Sequence, residues 1–174
     1  CVERLQKLKA DKFELAFERS SSVGIEIKDE KLDHLSRSTD QGLAIRTLRD
    51  GRMGFSYTFD LSRDSVESAA RRALEIGELM PADPLNDLVE FKANVYPTVK
   101  SFDEQGLAVP LERKIEIAKA IEHDAKRFDG RIKRVRKAGI DEIWGESIMV
   151  DTTGRKIEHR ATGRYRAARG RAHG

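Results

Sequence analysis

The sequence has little of what small secreted or membrane proteins depend on. Cys1 is the only cysteine among 174 residues, so an intrachain disulfide and a cysteine-rich zinc site are both excluded. No run of about 18 apolar residues predicts a membrane-spanning helix, and no charged-then-apolar stretch at the start indicates a signal peptide. We therefore expect a cytoplasmic protein with no membrane partner.

Charge is plentiful, by contrast, and both signs occur along most of the chain. Charged residues make up 36% of the sequence and hydrophobic residues 39%, a balance that favours a folded core over disorder. Residues 155–174 contain seven basic residues and one acid, a net charge of +6, so residues 1–154 carry −3 of the total of +3. This distribution argues against nucleic acid as a partner of the folded part.

Between residues 13 and 59, apolar and polar residues alternate. A period of two is typical of strands that expose one face to water. Turns are expected at Asp29–Lys31, at Gln41–Gly42 and, most strongly, at Asp50–Gly51, where a type I′ turn needs positive φ at both central residues. The pattern predicts five short strands in an antiparallel meander.

Two amphipathic helices are predicted after the meander. The first begins near Ser62, a good N-cap residue, and ends before Pro81; the second begins at Pro110 and ends before Asp129. The buried stripes are expected to be Val66, Ala69, Ala70, Ala73, Ile76 and Met80, then Leu111, Ile115, Ala118, Ile121, Ala125 and Phe128. Residues 83–108 are interpreted as a long surface loop.

Two or three further strands close the predicted fold. Residues 132–138 and 143–150 have strand-like patterns, and a third strand is expected from Ile157. The order predicts an α+β fold: a mainly antiparallel sheet with helices packed on one face. Residues 1–159 form the predicted domain, whose N-terminal helix (around Leu5) is truncated, and the Arg/Gly-rich residues 160–174 are expected to be a disordered or non-native tail.

No pattern of residues predicts a catalytic centre or a metal site. His34, His123, His159 and His173 are too far apart for a helical ligand motif, so His123 is expected to face solvent and His34 to be structural. A Gly-x-Ser-x-Gly motif is absent as well. We predict no catalytic or metal-binding residue and leave substrate-binding residues unassigned.

Four other features have structural interpretations that compete with functional ones. Asp103–Glu104 and Asp141–Glu142 are interpreted as solvated acids in loops or turns. Arg46, in the middle of a predicted strand, either forms an ion pair with Asp40 or Glu26 or marks a partner surface. Trp144 is either a half-buried residue or an exposed interface anchor. Tyr165 is the only aromatic residue of the basic tail, so no stacking series for nucleic acid is present.

Nine stretches are distinctive as strings. They are Ala10–Leu15, Asp29–Leu32, Ser38–Arg46, Asp50–Phe55, Phe59–Ser62, Pro81–Pro84, Leu111–Ile115, Arg131–Val135 and Asp151–Gly154. Together they resemble the N-terminal domain of the TldD/PmbA family, known as modulators of DNA gyrase, over about residues 5–159. Thr58–Ser62 and Pro81–Pro84 resemble the PmbA type more closely.

The resemblance implies part of a cytoplasmic zinc metallopeptidase system. In that family, TldD-type and PmbA-type subunits assemble, often as a heterodimer, around a chamber where extended peptides are degraded. The TldD type holds zinc through a His-Glu-x-x-x-His motif that is absent here, and the PmbA type lacks the motif. Family chains are more than twice this length, so the implied role is an inactive scaffold domain that assembles as a homo- or hetero-oligomer with a family subunit. The alternative is a stand-alone peptide- or nucleic-acid-binding module without enzymatic ancestry.

Overall fold

The computed structural model describes residues 2–7, 9–88, 97 and 99–172. In chain order its elements are α1 (Val2–Lys7), β1 (Lys12–Lys28), β2 (Lys31–Arg49), β3 (Arg52–Thr58), α2 (Arg63–Leu79), α3 (Glu104–Leu107), α4 (Leu111–Phe128), β4 (Ile132–Asp151) and β5 (Lys156–Ala172). The five strands form one antiparallel sheet in the order β3-β2-β1-β4-β5. The predicted α+β class is confirmed. No helix within the described ranges is both long and apolar enough to cross a membrane.

The first third contains three long strands, so the prediction of five short ones is wrong. β1 continues through residues 20–22 and β2 through Gln41–Gly42 without turning. β4 is likewise one strand of 20 residues where two were predicted. Alternation of apolar and polar residues indicates which side chains of a strand are buried. Where a strand continues through polar residues, the alternation stops, and the sequence looks the same as it does at a turn.

The two tight hairpin turns of the meander are confirmed. Asp29 and Glu30 have φ of 51° and 62°, and Asp50 and Gly51 have φ of 51° and 69°. Positive φ at both central residues is the signature of a type I′ turn, whose twist matches that of the flanking strands. These turns fix the β1–β2 and β2–β3 hairpins.

The chain divides into two compact units, which are described separately. Unit 1 comprises Cys1–Arg19, Asp40–Val99 and Glu146–His159, and unit 2 comprises Ser20–Thr39, Lys100–Gly145 and Arg160–Gly174.

In unit 1, α2 packs against β3 over a small-residue contact. Ser62 caps α2 by accepting a hydrogen bond from the Ser65 N–H, as predicted. The core cluster contains Leu5, Phe13, Leu15, Ile45, Ala69, Ala70 and Ala73. At Gly54 on β3, an added Cβ would overlap the carbonyl oxygen of Ala73, so the helix and strand approach as closely as their backbones allow.

In unit 2, α4 packs against its strands through a smaller apolar cluster. The buried members are Ile25, Ile27, Ala118 and Ile140. Pro110 stands at the N-cap position of α4, as predicted. Phe128 is 87% exposed, so its predicted place in the buried stripe is wrong; it is the last residue of α4, and the stripe ends before it. Met80, the C-cap residue of α2 in unit 1, is also exposed rather than buried.

The long loop predicted at residues 83–108 is only partly within the described residues. Residues 89–96 and 98 lie outside them, and the short helix α3 occupies Glu104–Leu107. Asp103 caps α3 by accepting a hydrogen bond of 2.8 Å from the Gly106 N–H. Asp103 therefore has a local structural role that the predicted solvated loop did not include.

The prediction of a disordered tail is wrong for residues 160–172, which lie in β5. The Arg160 carbonyl accepts a hydrogen bond from Ser101 Oγ at 2.6 Å, and the Thr162 N–H donates one to the Ser101 carbonyl at 2.8 Å. The Arg160 guanidinium stacks 3.9 Å from the centroid of Phe102. An edge strand can be held in place by backbone hydrogen bonds and by contacts of long side chains. A sequence without alternating apolar residues can therefore still form a strand. Residues 173 and 174 lie outside the described residues.

Candidate functional site

The three histidines within the described residues do not converge on one site. His34 lies in β2, His123 in α4 and His159 in β5. His123 is exposed, and its Nε2 lies 3.5 Å from Nη1 of Arg127 on the same helix. Over the described part of the chain, no three His, Cys, Asp or Glu side chains are close enough together to hold a metal ion. The described residues therefore do not fit the zinc that the resemblance implies for the family.

Asp141 and Glu142 lie within β4, so their predicted place in a loop or turn is wrong. Glu142 is only 5% exposed. Its Oε1 lies 2.5 Å from Nζ of Lys114, and its Oε2 accepts hydrogen bonds from Nη2 and Nε of Arg164 at 2.6 and 2.9 Å. Lys114, Glu142 and Arg164 are called the ionic cluster below. Both carboxylate oxygens of Glu142 are engaged, which suits a structural ion pair better than a general base.

A depression of about 450 Å³ opens beside the ionic cluster in unit 2. The absence of side chains at Gly24 and Gly163 leaves room there. A Cβ added at Gly24 would overlap Ser36 Oγ, and one added at Gly163 would lie 3.2 Å from the side chain of Ile143. The lining also includes Ser22 and the exposed side chains of Asp141 and Tyr165. Carboxylate, hydroxyl and apolar atoms are all present in this lining and can contact another chain.

Glu122 of α4 is fully buried and holds the β1–β2 turn. Its Oε1 accepts the Asp29 N–H at 3.0 Å, and its Oε2 accepts the Glu30 N–H at 2.8 Å. Its Oε1 also lies 3.1 Å from Nζ of Lys126, one turn further along the same helix. Burial raises the pKa of Glu122, but the hydrogen bonds from Glu30, Lys126 and Asp29 outweigh it, so the pKa lies below its usual value near 4.5.

Two residues singled out in the sequence have structural contacts. Arg46 pairs with Glu14 on β1 at 3.8 Å, while Glu26 pairs with Lys137. Arg46 therefore forms a cross-strand ion pair, as predicted, but its partner is Glu14 rather than Asp40 or Glu26. Trp144 is half-buried in β4, the first of the two alternatives.

An exposed row of aromatic side chains lies on β3 and just beyond it. Phe55, Tyr57 and Phe59 are 50%, 58% and 72% exposed. The rings of Phe55 and Tyr57 have centroids 6.3 Å apart, and those of Tyr57 and Phe59 meet edge to face at 5.5 Å. We call these three residues the aromatic row. Each ring contacts the next, which holds the three side chains as one apolar surface.

Sequence reasoning missed the aromatic row because alternation does not say which face of a strand is covered. The residues of β3 that α2 buries are the small ones, Gly54 and Ser56. The large residues that alternate with them, Phe55 and Tyr57, are exposed on the other face of the strand. A signal was present, since small residues at alternate positions permit a close helix contact that large aromatic residues would prevent.

Comparison with known families gives two matches. The model described as PmbA/TldA metallopeptidase domain 1 matches residues 13–77, and the one described as the PmbA/TldA metallopeptidase central domain matches residues 104–169. Together the two matches cover most of the chain, and domain 1 precedes the central domain along it. A search of curated proteins finds no match.

Three solved structures share the fold. A protein described as a modulator of a DNA gyrase from Thermotoga maritima has a TM-score of 0.80 and 18% identity, covering 98% of this chain and 39% of that one. TldE from Thermococcus kodakarensis has a TM-score of 0.81 and 16% identity, covering 98% and 38%. A modulator of DNA gyrase from Bacteroides thetaiotaomicron has a TM-score of 0.80 and 20% identity, covering 96% and 41%. The chain thus spans about two fifths of the length of each.

Proposed function

Because the chain belongs to the TldD/PmbA family, we propose that it is a scaffold domain of a peptidase system. In this proposal it forms part of the wall of a chamber for extended peptides and contacts a second family subunit, as a homo- or hetero-oligomer in the cytoplasm. The observation that carries the proposal is the ordered match to both domain 1 and the central domain of a metallopeptidase family.

The side chains of the described residues support a scaffold role rather than a catalytic one. The buried acids Glu122 and Glu142 are each saturated by donors within unit 2. The two exposed surfaces, the aromatic row and the depression, offer area for contacts. The proposal therefore assigns no cleavage step to the described residues. It includes the PmbA type on the resemblance of Thr58–Ser62 and Pro81–Pro84 to that type.

Two contacts of β5 favour the scaffold over a nucleic-acid-binding module. Arg160 is stacked on Phe102, and Arg164 is paired with Glu142. These cations are engaged within unit 2, which reduces the charge available to neutralise phosphates.

Zinc analysis and a cleavage assay on the 174-residue chain test the proposal. The probe is an unstructured fluorogenic peptide, with His123→Ala as the variant that removes a candidate ligand. We expect no stoichiometric zinc and no turnover in either protein. One zinc ion per chain, together with turnover that a chelator abolishes and His123→Ala weakens, would overturn the scaffold role.

A further inference from the structure

We propose that the outer edge of β3 binds an extended polypeptide segment as an additional strand of the sheet, beside the aromatic row. This inference deepens the proposed function by giving the peptide a binding edge, although it is argued from the geometry of β3. Among the described strands, β3 lies at one end of the order and forms its ladder with β2.

The register of the β2–β3 hairpin identifies the backbone groups that point outward. A two-residue type I′ turn closes on a hydrogen-bonded pair, here Arg49 and Arg52. Hydrogen-bonded and non-hydrogen-bonded pairs alternate in an antiparallel ladder. The non-hydrogen-bonded positions of β3 are therefore Met53, Phe55 and Tyr57, opposite Leu48, Arg46 and Ala44. Their N–H and C=O groups are directed away from β2, toward the edge of the sheet.

The sequence of this edge lacks the charged residues and prolines that protect many edge strands from pairing. Residues 53–59 contain no charged residue and no proline. The strand at the other end of the sheet, β5, differs: Arg160, Arg166 and Arg169 are exposed along it. Charged side chains and prolines are common means of blocking strand addition, and among the described residues β5 has such charges along it and residues 53–59 of β3 have none.

The size of the aromatic row suits a short segment better than a folded partner. At 50–72% exposure, three aromatic side chains offer roughly 350 Å² in total. A stable protein–protein contact buries about 800 Å² on each partner. An extended segment gains main-chain hydrogen bonds in addition to side-chain contacts, so it can bind over this smaller area. Its chemistry follows from the row: an uncharged strand with an apolar side chain at every second residue.

Fluorescence anisotropy with a labelled nine-residue peptide in which valine alternates with threonine tests the inference. Tyr57→Pro removes an outward N–H and leaves the ladder to β2 complete, because proline is tolerated where the N–H faces the edge. We expect it to weaken binding by at least about tenfold, and Phe55→Ala by about fivefold, by analogy with the worth of buried aromatic contacts. Phe128→Ala, at an exposed aromatic on α4, is the matched control and should bind like the unaltered chain.

A second variant and a second measurement keep the test decisive. If Tyr57→Pro does not fold by circular dichroism, Tyr57→Lys places a charge on the edge and should abolish binding. Equal binding by the unaltered chain and the folded edge variant would overturn the inference. So would a dimer in sedimentation equilibrium that the edge variant converts to monomer without any peptide binding, since a second copy would then be the occupant. Neither result affects the zinc and cleavage assays, so the scaffold role stands or fails separately.

Discussion

The two units are stabilised by different interactions. Unit 1 is built around Phe13, Leu15 and Ile45, with three alanines of α2 against them. Its buried carboxylate, Asp151, bonds within its own turn to Thr153 and Arg155.

Unit 2 has fewer buried apolar residues and buries three charged side chains, Lys114, Glu122 and Glu142. The stability that apolar contacts give depends on how well the side chains fit together and not on pH. A buried charged side chain, by contrast, destabilises the fold when its partners are removed. Unit 1 should therefore respond most to changes of volume and unit 2 to changes of charge.

The largest expected effect is a change of volume in unit 1. In Gly54→Ala the new methyl group overlaps the backbone of Ala73, which cannot rotate away, so α2 must shift. We expect the free energy of unfolding in urea to fall by about 3 kcal/mol or more. Gly130→Ala is the control, because its Cβ meets no atom within 4 Å and should change stability by less than about 0.5 kcal/mol. Similar stabilities for the two variants would contradict the close backbone contact.

A change of charge in unit 2 should have the next largest effect. Glu142→Gln keeps the shape of the side chain but leaves the ammonium of Lys114 buried without a counter-charge. We expect a loss of about 2–3 kcal/mol in urea unfolding. Glu116→Gln makes the same change in an exposed pair with Arg113 and should cost about 0.5 kcal/mol at most. Equal losses would mean that burial of the ionic cluster adds nothing.

The smallest expected effect depends on pH and distinguishes the units most clearly. The pKa of Glu122 is lowered in the folded state, so its stabilisation is present above about pH 4.5 and is lost as the pH falls through the folded-state pKa. Glu122→Gln should cost about 1–2 kcal/mol at pH 7, with a difference that disappears in acid. Amide hydrogen exchange at Asp29 and Glu30, which donate to Glu122, measures the loss directly.

Amides of unit 1 provide the control for that experiment. Exchange in β3 should not differ between Glu122→Gln and the unaltered chain at any pH. A difference that persisted below the folded-state pKa of Glu122 would show that the carboxylate charge is not what holds the turn.

Local sequence rules predicted the features that local backbone geometry decides. The Asp50–Gly51 turn, the Ser62 cap and the start of α4 after Pro110 depend on a few neighbouring residues, and all three are confirmed. The α+β class follows from the succession of such elements.

Sequence rules failed where contacts between distant segments decide the outcome. The strand β5 lies beside β4 in the sheet and has contacts from Arg164 to Glu142 and from Thr162 to Ser101, which the period of the sequence does not reveal. The ionic cluster was missed for the same reason, since Arg164 was assigned to a tail. The aromatic row was missed because the covered face of β3 is set by α2, which contacts Gly54 rather than the larger residues.

The single tryptophan of the chain makes the contrast between the units visible by optical spectroscopy. Trp144 belongs to unit 2 and is half-buried, so its emission should move to longer wavelength when that part of β4 becomes exposed to water. Far-ultraviolet circular dichroism, by contrast, sums the signal of α2 and α4 together. If the two probes give melting curves that do not coincide, the halves of the molecule lose their structure at different temperatures without any label having been introduced.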